Sequence, residues 1–161
     1  MKKLVLMRHG KSSWNYDVPD TERPLKSRGK RDAALVAKTF NESSEIPDKI
    51  YSSPAKRALD TCKIFLKTLD IPTSEAQIIE NLYDFGGQNV IAFLKDLPNS
   101  LSSVMIFGHN HALTSLTNSF GNKYIDNLPT SGLVEIEFDI DEWIDIKNGT
   151  TKQIIIPKAL R

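Results

Sequence analysis

The sequence has few of the residues that mark secreted, metal-binding or membrane proteins. Cys62 is the only cysteine among 161 residues, so one chain can form no internal disulfide and no cysteine-rich metal site. No apolar run approaches the roughly 20 residues of a membrane-spanning helix. Only four apolar residues follow Lys2 and Lys3, too few for the core of a secretory signal. These absences predict a cytoplasmic protein without a membrane-bound segment.

Neither sign of charge is in excess. The chain has 21 Lys and Arg against 20 Asp and Glu, a net charge of +1. This balance gives no general electrostatic basis for binding nucleic acid or an anionic membrane. Any affinity for an anion must therefore come from a local cluster of basic side chains. The length and the 40% hydrophobic content favour a single domain over residues 1–161.

Apolar runs typical of buried strands alternate with helix-like stretches. The strand-like runs are 4–7, 50–51, 77–79 and 104–107, and the helix-like stretches begin near Ser27, Ser53, Val90 and Asn110. This alternation predicts a three-layer α/β/α sandwich with a mostly parallel central sheet. From Gly132 onward apolar and polar residues alternate, which predicts an antiparallel C-terminal strand region. There we expect residues 143–146 and 152–156 to pair across an Asn148-Gly149 turn.

Three of the strand-like runs are followed by residues suited to phosphate chemistry. Arg8 and His9 follow the first run, and His109 follows the fourth. Ser53-Pro54, after the second run, is typical of a helix N-cap and first helical residue, which places Arg57 in the first turn. Arginine and a helix N-terminus both bind phosphate oxygens, and histidine is a nucleophile near neutral pH. Because the carboxyl ends of parallel strands share one edge, these side chains should converge on a phosphate site.

In order and approximate spacing, these segments resemble the histidine phosphatase superfamily. The matching residues are Arg8-His9-Gly10, Ser53-Pro54 with Arg57-Ala58 and Thr61, and Gly108-His109-Asn110. The short chain, with Glu22-Arg23-Pro24-Leu25 and Gly29, is most similar to the compact SixA-type phosphohistidine phosphatases. The resemblance extends from Arg8 to the Leu128-Pro129-Thr130 stretch.

The resemblance implies a role for each matching residue. His9 would attack phosphorus and form a phosphohistidine, which water then hydrolyses. Arg8, Arg23, Arg57 and His109 would bind the phosphate oxygens, with no metal or other cofactor. The substrate would be a phosphorylated protein side chain, such as phosphohistidine, or a small phosphorylated molecule. A protein substrate is favoured because 161 residues leave no room for the large cap insertions of bigger relatives.

The sequence does not decide whether a general acid protonates the leaving group. Relatives that act on phosphate esters have an acid two residues after a Leu, here Asp84, with Glu80 as the second candidate. A general acid typically contributes ~10²–10⁴-fold with a poor leaving group such as an alkoxide, whereas a departing imidazole needs less help. Asp84 fits a loop cap equally well. The alternatives are therefore a small phosphoester phosphatase that uses Asp84, or a phospho-binding module without turnover. His111 stands where the family usually has proline, and we expect it at the rim.

Overall fold

A six-stranded sheet forms the centre of the computed structural model, which describes residues 1–161. Its strands are β1 (Lys2–Arg8), β2 (Lys49–Ser52), β3 (Ala76–Ile78), β4 (Ser103–Gly108), β5 (Leu133–Phe138) and β6 (Thr150–Ile155). Their order in the sheet is β3-β2-β4-β1-β5-β6. The first four of these are parallel, whereas β5 is antiparallel to both β1 and β6. The predicted mostly parallel sheet with an antiparallel C-terminal region is confirmed.

Helices cover both faces of the sheet. They are α1 (Ser27–Ser43), α2 (Lys56–Thr68), α3 (Gln88–Lys95), α4 (Ala112–Phe120) and the short α5 (Pro157–Leu160). Side chains along β1 alternate between the two faces, as the pleat of a strand requires. Val5 and Met7 pack with α1 and α2, while Leu4 and Leu6 pack with α3 and α4. This is the predicted three-layer arrangement.

The lone cysteine lies in one of these two cores. Cys62 is fully buried on the face of α2 that packs against the sheet. Burial raises the pKa of its thiol to about 12, so the reactive thiolate is scarce at neutral pH. No helix has both the length and the apolar character needed to cross a membrane.

Two local predictions are wrong, in each case because tertiary contacts prevail over local pattern. Ser53 is not the N-cap of α2, whose N-cap is Ala55; the Ser53 side chain instead lies 2.8 Å from the His109 ring. The predicted strand at 143–146 is a short 3-10 helix at Trp143–Asp145. Trp143 is fully buried and its indole N–H donates to the Leu101 carbonyl at 2.9 Å. The hairpin partner of β6 is accordingly β5.

The register of the sheet sets the position of the candidate residues. Arg8 at the end of β1 is opposite Gly108 at the end of β4, and Ser52 at the end of β2 is opposite Phe107. The chain segments after β1, β2 and β4 therefore leave the sheet at the same edge. In parallel sheets this edge is where ligands bind.

Candidate active site

His9, the first residue after β1, is a neutral imidazole with one free nitrogen. Its Nδ1 lies 2.8 Å from the Gly10 carbonyl oxygen, which can only accept, so Nδ1 holds the ring proton. Nε2 then has its lone pair available and no hydrogen-bond partner in the chain. Burial lowers the pKa of His9 to about 3, despite the opposing contact with Gly10. At neutral pH His9 can therefore act as a nucleophile through Nε2.

The backbone beside His9 is held by close packing at Gly10. A Cβ on Gly10 would lie 2.8 Å from the Gly29 carbonyl oxygen, closer than a side chain tolerates. The Gly10 N–H donates to Thr61 Oγ1 at 2.9 Å, and that hydroxyl donates to the Arg57 carbonyl at 2.7 Å. These contacts tie the end of β1 to the first turns of α1 and α2.

Arg57 binds protein acceptors through both outer nitrogens and Arg8 through one, and both residues leave Nε unpaired. Arg8 Nη1 donates to the Leu128 carbonyl at 2.9 Å. Arg57 Nη1 donates to the Asp20 carbonyl at 2.7 Å, and Arg57 Nη2 to the Asp20 carboxylate at 2.9 Å. Both Nε atoms are buried and have no partner. Buried N–H groups without a partner are rare, and each requires an explanation.

His109, directly after β4, adds a third unpaired nitrogen. Its ring centroid lies 5.4 Å from that of His9. Nε2 lies 2.8 Å from Ser53 Oγ, whereas Nδ1 is buried without a partner. Burial, assisted by the positive charge of Arg57, lowers the pKa of His109 to about 4. Three nitrogens without partners thus belong to residues gathered around His9, an arrangement suited to the oxygens of a phosphoryl group.

Arg23 lies in the wall of the same cleft but is held by the loop that follows β1. Its Nε donates to the Ser13 carbonyl at 3.2 Å, and Nη2 donates to Ser12 Oγ at 2.6 Å. Nη1 donates to the Asp20 carboxylate at 3.1 Å. The ring of Trp14 stacks on the guanidinium, 3.2 Å from its central carbon. Three of the five N–H groups of Arg23 therefore bind the loop, and two remain for an anion.

Asp20 and Tyr83 belong to the site although no sequence motif identified them. The Asp20 carboxylate contacts Arg57, Arg23 and the Tyr83 hydroxyl, which donates to it at 2.5 Å. Burial alone would raise the pKa of Asp20, but these hydrogen bonds outweigh it and hold the pKa well below its usual range. The bond to Asp20 raises the pKa of Tyr83, so the phenol stays protonated. The only sequence signal was the spacing of three residues between Asp20 and Arg23.

Asp84 lies beside the site, with its carboxylate directed at backbone. One oxygen accepts from the Gly86 N–H at 3.1 Å. The other accepts three N–H bonds at 3.0–3.1 Å, from Gly87, Asn89 and Val90. These contacts join Asp84 to the first turn of α3, where a negative charge is favoured.

The two remaining candidates, Glu80 and His111, are both exposed. Glu80 begins the short 3-10 helix Glu80–Leu82 that precedes Asp84. His111 immediately precedes α4, at its N-cap position. Neither side chain forms a hydrogen bond or an ion pair with another residue. Neither residue lines the cleft that contains His9.

That cleft is strongly cationic. It has a volume of about 290 Å³, and its lining includes four basic side chains and one carboxylate: Arg8, Lys11, Arg23, Arg57 and Asp20. Trp14 and Phe85 form part of its rim and are 76% and 46% exposed. No group of three or more His, Cys, Asp or Glu side chains is arranged to hold a metal ion. The local charge thus favours an anion although the whole chain is nearly neutral.

Comparison with known proteins gives one family match and several relatives. The model of the histidine phosphatase superfamily, branch 1, matches residues 4–86, more than half of the chain. An uncharacterized chloroplastic protein of Arabidopsis thaliana is 31% identical over 120 residues, which cover 68% of this chain and 54% of that protein. The chain therefore spans about half the length of this relative. An uncharacterized protein of Mycobacterium tuberculosis is 25% identical over 153 residues, 89% of this chain and 93% of that protein.

Solved structures share the fold over nearly the whole chain. The protein histidine phosphatase SixA in complex with tungstate superposes with a TM-score of 0.83 at 23% identity, covering 99% of both chains. The SixA protein of Agrobacterium tumefaciens gives a TM-score of 0.81 at 23% identity, covering 97% of this chain and 98% of that one. The resemblance predicted from the motifs is thus confirmed for both family and fold. The chain belongs to the histidine phosphatase superfamily, branch 1.

Proposed function

We propose that this protein is a metal-independent phosphatase in which His9 Nε2 accepts the phosphoryl group of the substrate. The observation that supports this most strongly is the combination of a free His9 Nε2 with three unpaired buried nitrogens. These are Nε of Arg8, Nε of Arg57 and Nδ1 of His109. They belong to residues gathered around His9, so negative charge that develops in the transition state would meet polar groups already in place. The guanidinium groups supply the positive charge.

The reaction proceeds in two displacements. His9 Nε2 attacks phosphorus in line, a P–Nε2 bond forms, and the bond from phosphorus to the leaving group breaks with its electron pair. The leaving group takes a proton from solvent as it departs, and the water that attacks in the next step returns one. Water then attacks the phosphohistidine, the P–Nε2 bond breaks, and inorganic phosphate leaves. Throughout, the His9 Nδ1–H remains bonded to the Gly10 carbonyl, which orients the ring and stabilises positive charge on it.

We propose phosphohistidine on a protein, or another phosphorylated protein side chain, as the substrate. The rim residues Trp14 and Phe85 leave the cationic cleft accessible to a side chain that projects from a protein surface. An imidazole leaving group also suits a site whose nearest carboxylates are both engaged, Asp20 by Arg57 and Asp84 by backbone. The similarity in fold to the protein histidine phosphatase SixA agrees with this substrate class.

Turnover of a substrate panel tests the proposal. We expect the highest kcat/KM on a phosphohistidine-containing protein, a lower value on para-nitrophenyl phosphate, which offers no protein surface to bind, and little turnover of sugar phosphates, because an alkoxide is the most basic leaving group of the three. Brief reaction with labelled substrate should trap acid-labile, base-stable phosphate on the protein. A higher kcat/KM on sugar phosphates would favour a small phosphoester phosphatase. Tight binding without turnover would favour a phospho-binding module.

The alternative ester phosphatase makes a separate prediction at Asp84. We propose that Asp84 is a helix cap, so Asp84→Asn should lower the free energy of unfolding by about 1–2 kcal/mol, because an amide offers one acceptor to four N–H donors. Thermal or urea unfolding measures this loss. Turnover of aryl and alkyl phosphates should then fall by the same small factor. Glu80→Gln, which neutralises the nearby exposed carboxylate, serves as the control and should alter neither.

A loss of ~10²-fold or more on alkyl phosphates alone would identify Asp84 as the general acid. The same selective loss in Glu80→Gln would assign that role to Glu80. Either result would support the ester phosphatase, and the first would also contradict the assignment of Asp84 as a helix cap alone.

A further inference from the structure

His109 is buried with a partner on only one side of its ring. The residue is 1% exposed, with Ser53 Oγ 2.8 Å from Nε2 and nothing within hydrogen-bond distance of Nδ1. Tyr83 and Phe85 pack against the ring, with centroids 5.4 and 5.0 Å away. Because the ring is neutral near pH 7, only one of its nitrogens holds a proton. Which nitrogen holds it decides whether Nδ1 can donate to a phosphoryl oxygen.

Ser53 settles that choice through its own hydrogen bonds. The Ser53 side chain is fully buried, and its oxygen already accepts from the Ala55 N–H at 3.2 Å. The only acceptor within hydrogen-bond distance of its single proton is His109 Nε2. A hydroxyl that donates to Nε2 requires an unprotonated Nε2, which places the ring proton on Nδ1.

The opposite assignment leaves more groups unsatisfied. If Nε2–H donated to Ser53, the serine hydroxyl proton would be buried without an acceptor. Nδ1 would then present a lone pair toward phosphate oxygens that also have lone pairs. Buried polar groups without partners are costly, and a lone pair facing an anion is repulsive. Both considerations favour the Nδ1–H form.

We propose that Ser53 is a positioning residue that holds His109 in its Nδ1-protonated form, so that Nδ1–H donates to a phosphoryl oxygen. This inference rests on the proposed phosphatase function for its purpose, although the tautomer itself is a property of the free protein. The Ser53 hydroxyl forms hydrogen bonds only with His109 and backbone, so it acts through His109. The position of the proton is thus set before substrate arrives, and none has to move when the phosphoryl group binds.

The direct test is the nitrogen-15 NMR spectrum of the histidine side chains at pH 7. The chain has three histidines, and His9→Ala and His111→Ala identify His109 by elimination. We expect His109 to show a protonated Nδ1 and an unprotonated Nε2. In Ser53→Ala both shifts should move toward values averaged between the two tautomers, because nothing then distinguishes the nitrogens. Ser52→Ala, an equally buried neighbour whose hydroxyl binds the Ser53 carbonyl, should leave the shifts unchanged.

Kinetics then link the tautomer to function. Ser53→Ala should lower kcat roughly 10-fold, about the worth of one well-placed hydrogen bond. Ser53→Thr, which keeps the hydroxyl, should restore most of the loss, whereas Ser52→Ala should match the unaltered protein.

A protonated Nε2 in the unaltered protein would overturn the proposal, even if Ser53→Ala failed to fold. Loss of activity in Ser53→Ala with unchanged nitrogen shifts would also overturn it. Absence of phosphatase activity would refute the proposed function but not the tautomer, so the two failures are distinguishable.

Discussion

His9→Ala will lower kcat/KM on every substrate by on the order of 10⁴-fold or more, the scale of loss when a covalent nucleophile is removed. Alanine leaves no atom that can accept the phosphoryl group, although the unpaired nitrogens of Arg8, Arg57 and His109 stay in place. The variant should therefore still bind inorganic phosphate. Steady-state kinetics and trapping of labelled phosphate measure both parts of the expectation, and no label should remain on the variant.

His111→Ala is the matched control for this experiment. It removes an exposed imidazole close in sequence to His109, and the residue does not line the cleft. We expect its kinetics to equal those of the unaltered protein. If His9→Ala kept its activity while His111→Ala lost it, the nucleophile would have been assigned to the wrong histidine.

Arg57→Ala will lower kcat/KM by about 10²–10³-fold, the usual effect of removing one donor that stabilises the transition state. The substitution removes the unpaired Nε and one of the three partners of the Asp20 carboxylate, which now binds Arg57 Nη2 at 2.9 Å. That carboxylate would then repel the phosphoryl group. Inorganic phosphate should accordingly be a weaker competitive inhibitor of the variant. Arg57→Lys should recover only part of the activity, because an ammonium group cannot bind Asp20 and a phosphoryl oxygen with the geometry of a guanidinium.

Lys56→Ala controls for the general loss of positive charge. Lys56 is the residue before Arg57, and its amine pairs with Asp60 on the solvent side of α2. It does not line the cleft, so its removal should change kcat/KM less than twofold. An equal loss in Lys56→Ala and Arg57→Ala would mean that long-range charge, and not a specific contact, accounts for the effect.

The convergence of Arg8, His9, Arg57 and His109 could be predicted from sequence because it depends on sheet geometry alone. Each residue closely follows a strand-like run, and parallel strands bring their carboxyl ends to one edge. Apolar runs are a strong signal for buried parallel strands. The fold class and the residues gathered at the sheet edge could therefore be predicted from the local sequence pattern.

The contacts of Asp20, Tyr83 and Ser53 could not be predicted in this way. Asp20 meets Arg57 across 37 positions and Tyr83 across 63, and Ser53 meets His109 across 56. Such contacts depend on loop conformation, for which the sequence has no periodic signal. The prediction of Ser53 as an N-cap was wrong because Ser-Pro is a frequent helix start. No neighbouring residue in the sequence indicates that the Ser53 hydroxyl binds the distant His109 ring. Asp84 stayed ambiguous for the same reason, since an acid and a cap look alike in sequence.

The pairing of β1 with β4 has a consequence for how this protein tolerates change. His9 and His109 each follow directly on one of two hydrogen-bonded strands, with Arg8 opposite Gly108. Nearly 100 residues of chain connect the two histidines, yet the ladder alone sets their separation. Insertions in the exposed turns between them should be absorbed locally, as surface loops generally allow. A slip of one residue between these strands would instead turn the histidine of the shifted strand to the opposite face. The spacing of the two histidines is therefore inherited from strand pairing, and evolution can lengthen or shorten the loops of this protein without changing that spacing.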